Sequence, residues 1–202
     1  MLAHVIHMKL YPAGLWERKG EEKMTAQIGD TLKFQDREFS IVAMKPPLQF
    51  YPEKYNITPE MICTACRKGF WCSYNISDGS LSLEDLYINS KNNFYPEIEG
   101  VFPQPSDGTK IIDYMFHHLY KNLNIKILYS GKILAGDEFI SDYYIHMGYQ
   151  RPWAYKTLKE LVFKYGELVE INDQSQFAAN MRERILQKSA GKRRRRLKVH
   201  KR

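Results

Sequence analysis

The segment Cys72-Ser-Tyr-Asn-Ile-Ser-Asp78-Gly79-Ser-Leu-Ser-Leu83 carries the clearest structural signal in this chain. Apolar and polar residues alternate on both sides of Asp78-Gly79, and alternation with period two predicts β-strands. An Asp-Gly pair between two such runs is typical of a tight hairpin turn. Beyond Leu83 the phase of the alternation slips, because Leu86 and Ile88 fall on the opposite parity. The sequence therefore predicts a β-hairpin with a bulge near Asp85.

The same period occurs in three other parts of the chain. Alternating residues over 32–43 predict a hairpin around the polar stretch 35–38, and those over 161–171 predict one at Gly166. The run from Ile125 to Ile133 predicts a further hairpin at Ser130-Gly131. The segment 111–120 has no clean period, so strand and helix both remain open there.

Two segments have helical spacing. Asp137 can cap a helix ended by Gly148, with an apolar stripe of Phe139, Ile140, Tyr143, Tyr144 and Met147 that should lie on the sheet. Asp173 or Ser175 can begin a second helix, in which Phe177, Met181 and Ile185 form a narrow stripe suited to the edge of the domain. The predicted fold class is α+β, a mainly antiparallel β-hairpin sheet with one packed helix and a C-terminal helix.

Length and composition indicate one hydrophobic core. With 202 residues, 44% of them hydrophobic, the chain favours a single α+β domain over 24–190. Residues 1–23 form an extension in which Lys19-Gly-Glu-Glu-Lys23 precedes Met24, as a translated bacterial ribosome-binding sequence would. Two interpretations stay open: a native start at Met24, or a genuine, loosely ordered extension. Intact-mass measurement of the naturally expressed protein separates them.

The cysteines and the hydropathy pattern indicate a cytoplasmic protein. Three cysteines fall within ten positions, an odd number that does not suit a secreted disulfide scaffold. No run of apolar residues approaches the length of a membrane span, and His4 and His7 interrupt the only N-terminal apolar run. We therefore expect neither a membrane span nor a signal peptide.

Positive charge is concentrated at the C-terminus. Residues 1–191 hold 22 Lys and Arg against 23 Asp and Glu, whereas residues 192–202 contain no acid. The tail, residues 191–202, is predicted to be disordered because like charges repel and little apolar surface remains to bury. Its partner could be nucleic acid, an acidic protein or an anionic membrane surface, or the tail could be a passive solubilising end. Consecutive arginines favour nucleic acid, since Arg forks phosphate bidentately. The basic residues are Lys192, Arg193, Arg194, Arg195, Arg196, Lys198, Lys201 and Arg202.

Candidate chemical sites in the body are few. Cys63, Cys66 and Cys72 lack the fourth ligand that structural zinc usually needs, and no nucleotide-binding or hydrolase motif occurs, so no metal and no cofactor are predicted. Cys66 could be a reactive thiol beside Arg67 and Lys68, and His146 could serve in acid–base chemistry. Burial of the thiols in the core is the favoured alternative.

A loop after the first predicted helix interleaves aromatic and cationic residues. Tyr149, Arg151, Trp153 and Tyr155 could offer stacking faces and charge to a ligand. The favoured alternative is that the aromatic residues cap the core while the cations are solvated.

The segments Ile62-Cys-Thr-Ala-Cys-Arg-Lys-Gly-Phe70 and Asp137-Glu-Phe-Ile-Ser-Asp-Tyr-Tyr-Ile-His-Met-Gly148 resemble those of a group of uncharacterised bacterial cytosolic proteins. The resemblance covers residues 24–173 and excludes the tail. It implies the same order of hairpins and helix, and it implies no activity, ligand or catalytic residue.

These observations favour a non-enzymatic cytosolic binding or interaction protein whose basic tail contacts nucleic acid. The alternative is a small cytosolic enzyme that uses Cys66 or His146 near the 149–156 loop. The sequence leaves the oligomeric state open.

Overall fold

The computed structural model describes residues 25–48, 50–106, 108 and 111–199, with only the backbone described for 191–199. The extension 1–23 and the tail residues Lys201 and Arg202 lie outside these residues. The described residues form mostly β-sheet with one α-helix in the C-terminal region. In chain order the elements are β1 Thr31–Phe34, β2 Arg37–Lys45, β3 Phe70–Ser77, β4 Ser80–Ile88, β5 Gln104–Pro105, β6 His118–Tyr120, β7 Ile125–Lys126, β8 Gly131–Phe139, β9 Tyr155–Lys164, β10 Glu167–Asp173 and α1 Ser175–Val199.

The strands form one mixed sheet with the order β10-β9-β8-β2-β1-β3-β4-β6-β5, and β7 pairs with β4. The neighbours β1 and β3 are parallel, whereas the other pairings of the described strands are antiparallel. The sheet curls until β10 meets β4 at Glu167 and Ser80. The inner face of this curl holds the main core.

Three of the four predicted hairpins are confirmed: β1–β2, β3–β4 and β9–β10. The bulge is confirmed as well, because Ser73 pairs with Asp85 and Tyr74 with Leu83, which leaves Glu84 as the extra residue. The hairpin over 125–133 is wrong. β7 pairs with β4 and β8 pairs with β2 and β9, so the alternation of Ile125, Ile127 and Tyr129 reflects packing against the core.

The helix predicted over 137–148 is also wrong. Residues up to Phe139 belong to β8, where Asp137 and Phe139 pair with Thr157 and Tyr155 of β9, and this ladder takes up backbone groups that a helix would need. After the strand, Ile140 donates its N–H to the carbonyl of Ala154 at 2.7 Å, and only a short 3₁₀ turn, Ser141–Tyr143, follows. Met147 is 64% exposed, so the apolar spacing marks a surface loop.

The core has a main part and a satellite. Of the described residues, nineteen are buried in the main part, among them Leu32, Phe39, Tyr74 and Ile133. The satellite surrounds Trp71 and Phe116 beneath the segment 111–120, which forms a 3₁₀ turn, Ile111–Tyr114, followed by β6. In the part of the chain that the structure describes, no helix has both the length and the apolar character to cross a bilayer.

Candidate functional site

The only α-helix among the described residues joins the basic tail to the body. Its first turn is fixed on β9, because the Ser175 hydroxyl accepts the N–H of Leu158 at 3.0 Å and Ala178 is fully buried. Arg182 donates to the carbonyls of Trp153 at 3.1 Å and Tyr155 at 2.7 Å. The helix is therefore docked at its N-terminal end.

The sequence predicted that folded structure ends at Gly191. In the structure the helix continues past Gly191 to Val199. Lys and Arg are good helix formers, and cations near a helix C-terminus are favoured by its dipole. Lys192 to Lys198 place six cationic residues on a helical backbone, and no Asp or Glu follows Glu183. At about 1.5 Å of rise per residue these cations span roughly 9 Å of helix axis.

The aromatic residues of the 147–156 loop do not share one surface. Tyr155 is buried, with its ring edge-to-face on Phe139 at 5.4 Å and against the backbone of Gly136. Trp153 and Arg151 are half-buried, whereas Tyr149 is 54% exposed. Gln150 closes the loop, since its amide bonds both the N–H and the carbonyl of Ile145. Tyr155 thus has the packing role that the alternative interpretation gave it.

Cys66 lies in a polar cluster at the edge of the satellite core. Lys68 places its ammonium 2.6 Å from both carboxylate oxygens of Asp30, which also accepts the N–H of Cys72 at 2.9 Å. Burial raises the pKa of the Cys66 thiol despite the opposing charge of Lys68, and the Cys66 thiol donates to the carbonyl of Phe70 at 3.1 Å. Burial likewise raises the pKa of Cys72 to about 12.

Tyr149 is the loop residue that the structure brings near this cluster. Partial burial of its phenol raises the pKa of Tyr149, the charge of Lys68 opposes the rise, and the charge of Asp30 adds to it. His146 is exposed and packs edge-to-face on Tyr144 with 5.0 Å between ring centroids. A protonated, buried thiol and a histidine engaged with a surface ring give the enzyme hypothesis no support.

Metal ligation has no geometric support in this part of the chain either. Within the described ranges, no three or more His, Cys, Asp and Glu side chains come together in a way that could hold an ion.

The sequence did not predict a groove that lies between the segment 46–55 and the segment 125–130. The groove has a volume of about 410 Å³. Its aromatic side chains come from a Pro-punctuated loop whose composition indicated only irregular structure, and β7 forms the opposite wall by pairing with β4. The groove is lined by Pro46, Pro47, Leu48, Phe50, Tyr51, Lys54, Tyr55, Ile125, Lys126, Ile127, Leu128, Tyr129 and Ser130.

The one sequence signal that pointed to this groove is the cluster Phe50-Tyr-Pro-Glu-Lys-Tyr55. It places three aromatic residues and a lysine within six positions. The pairing of 125–126 with β4, which forms the facing wall, was the part that the hairpin prediction misassigned.

Comparison with known proteins gives no match among family models, curated proteins or solved structures. The resemblance to a bacterial cytosolic group stays a prediction, and the proposals below rest on geometry and charge alone.

Proposed function

We propose that this protein is a non-enzymatic, cytoplasmic nucleic-acid-binding protein whose C-terminal basic helix segment, residues 192–198, contacts phosphates. The observation that carries the proposal is the continuous helix from Ser175 to Val199, which joins this segment to a docked N-terminal half. The cytoplasmic location is supported by the three cysteines, all of which are free.

Charge spacing supports nucleic acid as the partner. Six cationic residues over roughly 9 Å of helix axis give one charge per about 1.5 Å, close to the one negative charge per about 1.7 Å of duplex DNA. Four of the six are arginines, whose planar guanidinium groups bind phosphate bidentately. An acidic protein surface is the competing partner, and it lacks this regular spacing of charge.

The test measures affinity for a fluorescent DNA duplex of about 20 base pairs as a function of salt. With up to six phosphate contacts from this segment, each worth about −0.9, we expect a log–log salt slope on the order of −5. Replacing Arg193, Arg194, Arg195 and Arg196 with Gln preserves helix propensity and should reduce the magnitude of the slope by about 3 to 4. Truncation after Gly191 should abolish binding.

The matched control removes the same charge from the body. Lys45, Lys91, Lys121 and Lys164 are exposed, and replacing all four with Gln should leave most of the salt slope in place. Equal losses in the two quadruple variants, or equal binding by the truncated protein, would show that the tail is not the phosphate contact. Tight binding to polyglutamate with no binding to DNA would replace nucleic acid by an acidic protein as the partner.

A further inference from the structure

We propose that the groove between segments 46–55 and 125–130 binds single-stranded nucleic acid, with a base stacked on Tyr51 and the backbone phosphates beside Lys54 and Lys126. This inference rests on the proposed function, because the tail would bring nucleic acid to the body. It adds a site on the body that takes single strands rather than duplex.

Aromatic faces are available in this groove. Tyr51 is 44% exposed, and the ring of Phe50 stacks on Tyr55 with 6.2 Å between centroids. Phe50 is held from the core side by an edge-to-face contact with Phe70 at 6.1 Å. A fixed aromatic floor with one exposed ring suits a stacked base, and stacking tolerates any sequence because every base has a π-face.

Charge selects an anionic occupant. Lys54 and Lys126 stand on opposite walls, and none of the described residues that line the groove is Asp or Glu. The Lys54 ammonium lies over one face of the Tyr51 ring, 5.7 Å from its centroid, which leaves the opposite face for a base and places a cation next to that base. Glu99 accepts a hydrogen bond from the Tyr55 hydroxyl at 3.3 Å without lining the groove. A stacked base could therefore contact Tyr51 while its neighbouring phosphate contacts Lys54.

The two walls are held together before any ligand arrives. The buried Tyr129 donates its hydroxyl towards the carbonyls of Pro46 at 2.8 Å and Lys132 at 3.0 Å, which ties one wall to the other. At Gly131 a Cβ would lie 2.5 Å from the Lys45 carbonyl oxygen and 2.6 Å from the Pro46 ring, so the walls approach as closely as glycine allows. A preformed groove loses little conformational entropy on binding.

Single strands fit this groove better than duplex does. Stacking on Tyr51 needs an unpaired base whose face is accessible, and duplex hides its base faces within the helix. Leu128, 81% exposed, extends the apolar surface at the groove's edge. A volume of about 410 Å³ lies in the range that holds a small organic group, which matches one stacked base with its sugar.

The experiment compares oligothymidine of about twelve nucleotides with the DNA duplex on the full chain. Tyr51→Ala should weaken oligothymidine binding about fivefold or more and leave duplex binding within about twofold. The double variant Lys54→Gln with Lys126→Gln should reduce the magnitude of the single-strand salt slope by about 1.4, because each lost phosphate contact counts about 0.7.

Matched controls use residues of the same type outside the groove. Tyr114 is 77% exposed, so Tyr114→Ala removes an exposed ring, and Lys91→Gln with Lys121→Gln removes two exposed charges. Neither control should change single-strand affinity more than about twofold. Circular dichroism and thermal unfolding confirm that each variant is folded, and the lysine substitutions, being on the surface, test the groove even if Tyr51→Ala lowers stability.

Each outcome bears on one proposal or the other. Equal oligothymidine affinity in the Tyr51 and Tyr114 variants, with tail-dependent duplex binding intact, overturns the groove and leaves the proposed function standing. Loss of oligothymidine binding on Tyr51→Ala, with no effect of tail neutralisation on duplex binding, supports the groove and removes the tail model. Binding of polyglutamate with the same dependence on Tyr51, and no binding of oligothymidine, overturns the groove's assignment to nucleic acid.

Discussion

At the scale of single residues, the free thiols show why a favourable sequence environment does not make a reactive group. Arg67 and Lys68 next to Cys66 suggested a thiolate, yet the Lys68 ammonium is held by Asp30 at 2.6 Å and the thiol is buried. Desolvation then raises the pKa of Cys66, with the charge of Lys68 opposing the rise. The neutral thiol is the stable form near neutral pH.

This environment predicts the order in which the thiols react. In the native protein at about pH 8, iodoacetamide should modify the half-buried Cys63 well before Cys66 and Cys72. With its pKa raised to about 12, Cys72 is ionised to only about one part in ten thousand at that pH, because a raised pKa keeps the proton on. Peptide mass spectrometry after timed quenching gives the three rates.

The control is the same labelling in concentrated urea, where all three thiols should react at similar rates. If Cys66 in the native protein reacted as fast as in urea, its thiol would be accessible and ionised, and the enzyme hypothesis would regain its nucleophile.

At the scale of elements, short-range turn chemistry was readable from the sequence. Residues Gln35-Asp36, Asp78-Gly79 and Tyr165-Gly166 all have positive φ, between 50° and 88°, as two-residue hairpin turns of the primed type require. Asp and Gly enter this conformation readily, which is why Asp78-Gly79 could be predicted with its register. Local preference and tertiary pairing agree at Asp78-Gly79, whereas Gln35 and Tyr165 are held at positive φ by the strand pairing on either side of them.

Local preference and tertiary pairing disagree over 137–148, and there the helix prediction is wrong. Phe139, Tyr143 and Met147 recur every fourth position, which is a helical pattern. The strands that pair with β8 are β2, about 100 residues before it, and β9, about 20 residues after it. Periodicity within one segment carries no information about such distant partners. Glu138 adopts a left-handed φ of 57°, and its neighbour Asp137 pairs with Arg37, so distant contacts fix this bend.

The start of α1 gives a prediction at this scale. The Asp173 carboxylate accepts the N–H of Ser175 at 2.8 Å, and hydrogen bonding from the Ser175 side chain and then from this N–H lowers the pKa of Asp173. We expect Asp173→Ala to lower the free energy of unfolding by about 1 kcal/mol at neutral pH, because one N-terminal N–H loses its partner. Urea unfolding monitored by circular dichroism measures the loss.

The pH dependence of the same bond has a definite sign. A carboxyl group whose folded pKa is depressed contributes its stability above the unfolded value, near 3.9, and loses it as the pH falls through the folded pKa. The difference between the wild type and Asp173→Ala should therefore be constant above about pH 5 and shrink in stronger acid. A difference that grew on acidification would contradict the assigned hydrogen bond. Gln176→Ala, an exposed change one residue into the helix, is the control.

At the scale of the whole molecule, the curl of the sheet placed residues together that no local pattern could relate. The candidate groove exists because β7 pairs with β4 while residues 46–55 leave the end of β2, and Tyr129 links the two segments across 83 positions. The basic tail, by contrast, could be located from composition alone, because its charge needs no fold. The basic tail could therefore be predicted from the sequence, whereas the groove could not.

Closure of this sheet depends on a narrow seam between two hairpin turns. Leu81 donates to the Gly166 carbonyl at 2.8 Å, Leu168 donates to that of Gly79 at 2.7 Å, and Ser80 donates its hydroxyl to Glu167 at 2.9 Å. The main core lies inside the curl and takes side chains from both sides of this seam, including Leu81 and Phe163. Opening the seam should thus expose the core as a unit.

Gly166→Ala tests this dependence. Gly166 has a φ of 88°, and a Cβ there would lie 2.6 Å from the Ile127 carbonyl oxygen. The substitution therefore strains the turn and displaces the Ile127 backbone, whose N–H donates to the carbonyl of Leu81 in the seam at 3.0 Å. We expect a loss of roughly 3 kcal/mol in the free energy of unfolding, the sum of left-handed strain and overpacking, with faster hydrogen exchange at the amides of Leu81 and Leu168.

Gly148→Ala is the matched control: its φ of 74° imposes similar strain, but no atom lies within 4 Å of the added Cβ, so about 1 kcal/mol should be lost. Because both variants carry the backbone strain, the difference between them isolates the contact with Ile127. Equal losses, or unchanged exchange at Leu81, would mean that the sheet holds its curl without this contact and that the core is sealed by the remaining strand pairings alone.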